Sequence, residues 1–225
     1  MNKFEHALHN LTAISEYKSW QMTPFTIENN VYSTNGYFLL KVPKKKVIYY
    51  EECENKKRKR KIIEYFELKT QKVYEEIKVS ELKDAINKIP LVDESVDHRE
   101  VNSCSKCEAS GWVEWEYEEY IKEMDCPVCE GTGKMVKTRK EKTENKVIAE
   151  GYYISLNKSI FRSEIIETLI NITEILKINH IDLISQTLPN KEIIFKIGVC
   201  ELIIMPVIGV DEEKYLIDIK TKEKK

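Results

Sequence analysis

The chain has 225 residues, enough for one substantial domain with a small insert or for two small domains. Hydrophobic residues make up 42% and charged residues 33%, a composition typical of a soluble globular protein, and the net charge is −2. No segment approaches the roughly eighteen consecutive apolar residues of a membrane span, so no membrane partner is expected. The first residues show no signal-peptide pattern, and we therefore expect a reducing, cytoplasmic compartment.

The first third of the chain predicts one helix followed by strands. Apolar side chains recur at helical spacing over residues 3–18, which favours an amphipathic helix. Asn35 and Gly36 form a strong two-residue turn signal, and residues 37–42 are expected to be the returning strand. Residues 47–53 and 62–68 are rich in isoleucine and tyrosine, and they predict two more strands.

A run of six basic residues separates these last two predicted strands. Six like charges repel one another and cannot be buried, so the run is expected at a solvated hairpin tip. Each cation that neutralises a phosphate releases counterions, which makes the run a candidate DNA contact. The alternative interpretation is a soluble loop without a ligand. The candidate residues are Lys56, Lys57, Arg58, Lys59, Arg60 and Lys61.

The middle of the chain predicts a short helix and then an insert. Ser80 is a suitable cap for a helix over residues 81–89. Residues 93–102 and 138–146 are polar and without a period, so they are expected to be linkers. We therefore divide the chain into an α+β domain made of residues 1–93 and 147–225, interrupted by an insert at 94–146.

Four cysteines in two C-x2-C pairs mark the insert. Their spacer of 18 residues falls in the range typical of a site with four thiolate ligands. We expect one structural zinc ion here, the alternatives being two disulfides or four unrelated thiols. Four thiolates would fill the coordination sphere and leave no position for a catalytic water. The candidate ligands are Cys104, Cys107, Cys126 and Cys129.

The spacer between the two pairs alternates cleanly over residues 112–118, which predicts one arm of a β-ribbon. The alternation suggests an aromatic face and an acidic face. Acidic residues argue against contact with nucleic acid and suit a protein partner better. The expected partner-binding residues on this zinc ribbon are Trp112, Trp115 and Tyr117.

The second cysteine pair and its glycines, residues 126–133, resemble the C-x-x-C-x-G-x-G repeat of DnaJ-type (Hsp40) chaperones. The first pair departs from the repeat, because Ala109 stands where the repeat has its first glycine. Only two repeats are present and the J-domain tripeptide His-Pro-Asp is absent. The resemblance implies a zinc knuckle with one ion and does not imply a chaperone.

The last third of the chain predicts a second helix followed by strands. Asn157 is expected to cap a long helix that ends near Lys177, with apolar residues on one face. Period-two segments then predict further antiparallel strands. The strand segments of this part are residues 152–156, 181–185, 192–197, 200–207 and 215–219.

Two short segments resemble the bacterial beta sliding clamp and its relatives. Residues 33–39 resemble the strand-turn-strand Ala-Thr-Asp-Gly-His-Arg-Leu, and residues 202–207 resemble the last strand of that family, which ends on Met-Pro. In the clamp family this last strand borders a hydrophobic pocket for partner peptides, and the resemblance implies that role for Met205, Pro206 and Val207. It also leaves homo-oligomerisation open, because clamp rings contain several such domains.

The fold class that follows is α+β, with two sliding-clamp-like halves, each a helix plus antiparallel hairpins, interrupted by a small zinc-binding β-ribbon insert. The first functional hypothesis is a non-enzymatic, zinc-containing, DNA-associated protein in a phage or replication context. The second is a zinc-ribbon adaptor or inhibitor that binds a protein and no nucleic acid. An enzyme is not expected, because the sequence lacks a glycine-rich phosphate loop and a Ser/His/Asp-type or H-E-x-x-H motif.

Overall fold

A computed structural model describes residues 1–12, 20–67, 72–157, 159–186, 188, 191–207, 216–219 and 222–223 of the chain. The chain divides into two compact units. Unit 1 comprises Met1–Pro90 and Ala149–Lys225, and unit 2 comprises Leu91–Ile148. Among the described residues, no helix combines the length and the apolar character needed to cross a bilayer.

The helices all belong to unit 1, and the strands belong to both units. Across the described ranges the α-helices are α1 (Lys3–Asn10), α2 (Lys56–Glu67), α3 (Val79–Asn87) and α4 (Ser163–Leu176), and Lys44–Lys46 forms a 3-10 turn. The strands are β1 (Phe25–Ile27), β2 (Asn30–Thr34), β3 (Phe38–Pro43), β4 (Lys72–Lys78), β5 (Leu91–Ser103), β6 (Trp112–Tyr117), β7 (Tyr120–Asp125), β8 (Lys134–Ile148), β9 (Tyr153–Leu156), β10 (Ser159–Arg162), β11 (His180–Gln186), β12 (Ile193–Ile197), β13 (Cys200–Ile204), β14 (Leu216–Ile219) and β15 (Lys222–Glu223).

Unit 1 is built on an eight-stranded sheet in the order β1-β2-β3-β13-β12-β11-β4-β15. Strands β1 to β3 form one antiparallel meander, and β11 to β13 form another. The two meanders meet at their last strands, where Leu40 of β3 pairs with Leu202 of β13. Helix α1 precedes the first meander and α4 precedes the second. This arrangement confirms the predicted α+β class with two helix-plus-hairpin halves.

The core lies between this sheet and a layer of helices. Helix α4 packs against both α1 and α3. The buried side chains of α4 recur at helical spacing, so the apolar stripe faces inward as the periodicity predicts. Helix α1 begins at a capping box, in which Asn2 accepts hydrogen bonds from the Phe4 and Glu5 amides and the Glu5 carboxylate accepts one from the Asn2 amide. The buried stripe of α4 includes Ile165, Ile166, Leu169, Ile172 and Leu176.

The basic run does not form a hairpin tip, contrary to the prediction. Residues 56–61 open helix α2, and the predicted strand at 62–68 continues this helix to Glu67, with residue 68 outside the described ranges. Asn55 begins the helix, because its side-chain oxygen accepts a hydrogen bond from the Arg58 amide at 2.9 Å. The predicted strand at residues 47–53 makes only the isolated bridge between Thr26 and Glu52.

Tertiary packing explains why the isoleucine- and tyrosine-rich segment is helical. Ile62 is buried in a cluster with Phe25 and Tyr32, and Phe66 packs on the same cluster one helical turn later. A spacing of four residues places both side chains on one face of a helix, whereas Lys and Arg are good helix formers at the exposed positions. Packing against β1 and β2 therefore overrides the local preference for a strand.

The second long helix begins later than predicted. Asn157 has a φ of 56° and lies in the turn between β9 and β10, so it does not cap α4, which begins at Ser163. The hairpin is favoured because Ile154 pairs with Phe161 across its strands and both side chains are fully buried. In the first predicted helix, α1 ends at Asn10, and residues 13–18 lie outside the described ranges.

Both predicted linkers of the insert are strands. Residues 93–102 lie in β5 and residues 138–146 lie in β8, and these two strands form a long antiparallel ribbon. The ribbon carries cross-strand ion pairs, in which Arg139 binds Glu100 and both Lys142 and Lys146 bind Asp93. A ribbon that is exposed on both faces needs no alternation of apolar residues, so the absence of a period did not exclude a strand.

We predict that unit 1 folds without unit 2. The Ala149 amide donates a hydrogen bond to the Pro90 carbonyl at 2.9 Å, so a short glycine-serine linker can replace Leu91–Ile148 with little closure entropy. We expect one cooperative thermal transition within about 4 °C of the transition of unit 1 in the full chain. Circular dichroism checks this. A truncated chain that melts without cooperativity would show that the insert is part of the core.

Candidate metal centre and basic cleft

The four paired cysteines converge at one point in unit 2. Their sulfur atoms all lie within 4.8 Å of one another, and all four side chains are buried. The Cys104 and Cys126 sulfurs are 3.9 Å apart, and those of Cys107 and Cys129 are 3.6 Å apart. Tetrahedral thiolates around a zinc-sized ion would be separated by about 3.8 Å. The cluster therefore has the dimensions of a four-thiolate metal site.

The two C-x2-C turns have the same hydrogen bonds. The Gly111 amide donates to the Cys107 sulfur at 3.4 Å, and the Gly133 amide donates to the Cys129 sulfur at 3.3 Å. Amide donors stabilise a thiolate, because they place a partial positive charge beside the sulfur. The turns also exchange backbone bonds, from the Cys104 amide to the Gly133 carbonyl and from the Cys126 amide to the Gly111 carbonyl.

Only some of the glycines in these turns are sterically required. A Cβ at Gly111 would collide with the Gly131 carbonyl, and a Cβ at Gly133 would collide with the Ala109 carbonyl. Ala109 and Gly131 occupy equivalent positions with φ values of 69° and 78°, and a Cβ at Gly131 would meet only the Asp125 side chain, at 3.1 Å. The departure of Ala109 from the chaperone-type repeat is thus compatible with the knuckle.

The thiols of Cys107 and Cys129 have very different pKa values. Burial raises the pKa of both groups, and it raises the pKa of Cys129 to about 11. For Cys107 the Gly111 amide and the neighbouring thiols outweigh burial and lower the pKa to about 7. The other three thiols lie where they can donate hydrogen bonds to the Cys107 sulfur. A bound cation would replace these protons, so metal binding is expected to release protons.

The hairpin between the cysteine pairs has two different faces, although not with the predicted membership. In the register of β6 and β7, Trp115 lies opposite Lys122 and Tyr117 lies opposite Tyr120. The Trp115 and Tyr117 rings stack at 5.6 Å. Trp112 lies on the other face together with Glu114, because successive side chains of a strand alternate between faces and Trp112 is three positions from Trp115. The predicted aromatic face therefore contains Trp115 and Tyr117 but not Trp112.

A second candidate site is a cleft of about 520 Å³ in unit 1. Helix α2 contributes three cations to its lining, and the turn between β2 and β3 contributes Gly36 and Tyr37. Ile203 of β13 and Met205, which follows the strand, form part of an apolar lining. Half of the predicted DNA-contacting run and the predicted partner-binding methionine thus line one cleft. The three cations are Lys57, Arg58 and Lys61.

Aromatic rings that the sequence did not associate with the basic run lie beside it. The Arg58 guanidinium lies 4.0 Å from the centre of the Trp20 ring, and the Lys61 ammonium lies 5.9 Å from the centre of the Tyr65 ring. These are cation–π distances. Trp20 is far from the run in sequence, so no local pattern could have identified it.

The other half of the basic run lies outside the cleft lining. Lys56, Lys59 and Arg60 belong to this half, and Arg60 forms an ion pair with Glu64 at 3.2 Å. Six cations in the first turns of a helix oppose the macrodipole, which favours acidic residues there. No acidic residue occupies the first turn of α2. The N-terminal half of α2 is therefore a concentrated positive surface.

The three residues predicted to receive a partner peptide are placed differently from one another. Met205 is 38% exposed and lines the cleft, and its amide donates to the Tyr37 carbonyl at 3.0 Å. Pro206 and Val207 do not belong to the cleft lining, and the Val207 amide donates to the Ile160 carbonyl at 2.9 Å. The partner-binding role of all three residues remains a prediction.

Comparison with known proteins gives fold neighbours only. No family model matches the chain, and no curated protein matches it. A DNA polymerase sliding clamp from Bacillus subtilis aligns with 92% of this chain and 62% of its own, at 12% identity and a TM-score of 0.46. A sliding clamp from Pseudomonas aeruginosa aligns at 10% identity over 91% of this chain and 63% of its own, with a TM-score of 0.43. The chain spans less than two thirds of these proteins, and no residue's role is transferred from them.

We predict that the knuckle distinguishes between its glycines. Gly133→Ala and Gly131→Ala both place an alanine at positive φ, which costs about 1 kcal/mol. Only Gly133→Ala also forces a Cβ onto backbone. We expect Gly133→Ala to weaken Zn²⁺ affinity at least about tenfold more than Gly131→Ala, equivalent to about 1.4 kcal/mol. Competition with a chromogenic chelator at fixed pH measures this, and equal losses would contradict it.

Proposed function

We propose that this protein is a non-enzymatic, DNA-associated protein that contacts phosphates through the cleft side of α2 and carries one structural zinc ion in its knuckle. The observation that carries the proposal is the concentration of six cations, none of them buried, on the N-terminal half of one helix. Three of these cations line a cleft together with aromatic and apolar side chains. A groove lined by cations can neutralise backbone phosphates and release their counterions, which supplies affinity independent of sequence.

Electrostatics favour a ligand over a merely solvated surface. The cations and the positive end of the helix dipole act in the same direction, so an anion bound beside them would stabilise the helix. The ion pair between Arg60 and Glu64 relieves the repulsion among the cations on the outer side. Arg58 is fixed above Trp20, which holds its guanidinium at the cleft. Local conflict of this kind is characteristic of binding sites.

Zinc is the ion that the knuckle suits best. Four buried thiolates at tetrahedral separations favour zinc or an iron site, and hard cations such as Mg²⁺ are disfavoured by sulfur. The two Gly amides that donate to sulfur would balance the charge of a four-thiolate site. Such a site leaves no open position for water, so the proposed role of the ion is to hold the two turns together.

We predict that purified protein contains about one zinc ion per chain. Cys126→Ser should lose the ion, because three thiolates no longer close the site, while the thermal transition of unit 1 is retained. Cys53→Ser is the matched control, since Cys53 lies outside the cluster and should keep full zinc content. Elemental analysis measures the metal. A metal-free chain with four reactive thiols and a folded hairpin would refute the zinc proposal.

We predict that DNA affinity depends on the cleft side of α2 and on salt. Each neutralised phosphate contributes about −0.9 to the slope of log affinity against log salt for a duplex. Lys57→Gln with Lys61→Gln should therefore flatten the slope by nearly two units and weaken all sequences alike. Lys56→Gln with Lys59→Gln removes the same charge outside the cleft lining and should flatten it by less than one unit. Fluorescence anisotropy with a labelled duplex of about 20 base pairs provides the measurement.

Two outcomes of this titration would contradict the proposal in different ways. Equal flattening by both double variants would assign phosphate contact to the whole helix rather than to the cleft. An absence of binding by the unaltered protein at low salt would remove the DNA function, because counterion release is strongest there.

The second candidate function is a protein adaptor. The observation that favours it is the exposure of large side chains on the hairpin, where Trp115 is 52% and Tyr117 is 58% exposed. Aromatic residues are enriched where proteins bind one another. Met205 offers a further half-exposed apolar contact in the cleft. The adaptor requires no nucleic acid, so the salt titration separates it from the first function.

A further inference from the structure

Strand β6 has a free edge. Unit 2 is described without gaps, and within it β6 pairs only with β7. The Cys126 amide donates to the Gly111 carbonyl, so the ladder bonds toward β7 fall on odd-numbered residues of β6. The backbone N–H and C=O groups of Glu114 and Glu116 therefore face the outer edge. An open edge of this kind is a template for an added strand.

The two faces beside this edge differ in chemistry. On one face the stacked rings of Trp115 and Tyr117 present an exposed aromatic surface. On the other face Glu114 and Glu116 are exposed, and Glu123 lies directly opposite Glu114 on β7. The carboxylates of Glu114, Glu116 and Glu123 have no ion-pair partner in unit 2. A strand added at this edge would place alternate side chains on an aromatic face and an acidic face.

We propose that the β6 edge binds an extended segment of a partner protein in which basic residues alternate with apolar residues. The segment pairs with β6 through backbone hydrogen bonds, which supply affinity, and its alternating side chains supply specificity. Its lysine or arginine side chains lie beside Glu114 and Glu116, and its apolar side chains pack on Trp115 and Tyr117. Directly opposed residues of unlike charge and apolar–aromatic pairs are the favourable neighbours across antiparallel strands.

Charge excludes two other occupants. A second copy that paired its own β6 antiparallel around Trp115 would set Glu114 against Glu116, and like charges directly opposite are destabilising. Nucleic acid is disfavoured because the acidic face repels phosphate. The inference rests on the adaptor function of the hairpin and is independent of DNA binding by α2.

The test uses the full-length, metal-loaded protein and synthetic peptides of about eight residues, long enough to span a strand of this size. The first peptide alternates lysine with valine, and the second alternates glutamate with valine. We expect the lysine–valine peptide alone to bind the unaltered protein. Glu114→Lys with Glu116→Lys should weaken that peptide at least about tenfold and bind the glutamate–valine peptide instead. The exchange of preference demonstrates that the variant is folded.

Backbone methylation tests whether the peptide forms a strand. Two lysine–valine peptides carry N-methyl groups on alternate residues, one set on the lysines and the other on the valines. Strand addition predicts that one of them loses binding and the other retains it, because only one set of amides faces β6. Trp115→Ala should weaken the unmodified peptide. Isothermal titration calorimetry measures all of these affinities.

Each contrary result overturns a stated part of the inference. Failure of the unaltered protein to bind the lysine–valine peptide overturns it entirely and leaves an adaptor with another partner chemistry. Binding that survives both methylated peptides but requires Trp115 retains docking on the hairpin and excludes strand addition. Self-association of the protein that Glu114→Lys with Glu116→Lys abolishes would assign the edge to a second copy.

Discussion

The junction between β3 and β13 is the constraint on which the arrangement of unit 1 depends. Leu40 and Leu202 pair there in full burial, which joins the last strands of the two meanders and thereby the two halves of the chain. The same register places Phe38 opposite Ile204, so the turn at Tyr37 lies beside Met205 although more than 160 residues separate them in sequence. One wall of the cleft is thus a direct consequence of strand register.

The other wall depends on how α2 is held. Ile62 and Phe66 anchor one face of the helix on β1 and β2, and Arg58 lies over Trp20 at its N-terminal end. Apolar burial of this kind stabilises the helix by about 2 kcal/mol per large side chain. It can therefore offset the repulsion among six cations, which individually cost a few tenths of a kcal/mol each. The packing of Ile62 and Phe66 therefore keeps α2 helical although its N-terminal half concentrates positive charge at the cleft.

Sequence patterns correctly predicted the elements that depend on local residues, and they failed for the elements that depend on contacts between distant residues. The cysteine cluster followed from spacing, because two C-x2-C pairs separated by 18 residues are typical of a site with four thiolate ligands. The strands around residues 181–204 followed from alternation, since each buries one face or both. Helix α2 was missed because its state depends on contacts of Ile62 with β1 and β2. The β5–β8 ribbon was missed because both of its faces are largely exposed, so its sequence carries no regular alternation of apolar and polar residues. The cleft could not be predicted from the sequence, because it is assembled by the register of β3 against β13 and by Trp20, which is distant in sequence.

The knuckle explains how an exposed hairpin can be maintained. An isolated two-stranded hairpin is marginally stable in water, and β6 and β7 bury few of their own side chains. The base of this hairpin, where Trp112 pairs with Asp125, is held by the two cysteine turns. Gly111 and Gly133 closely approach the backbone of the opposite turn, and the four cysteines converge beside them. Because the turns hold the strands at their base, Trp115, Tyr117, Glu114 and Glu116 have no role in a core. Their strict alternation on an unpaired edge is then unexplained by folding, and recognition of a complementary strand accounts for it.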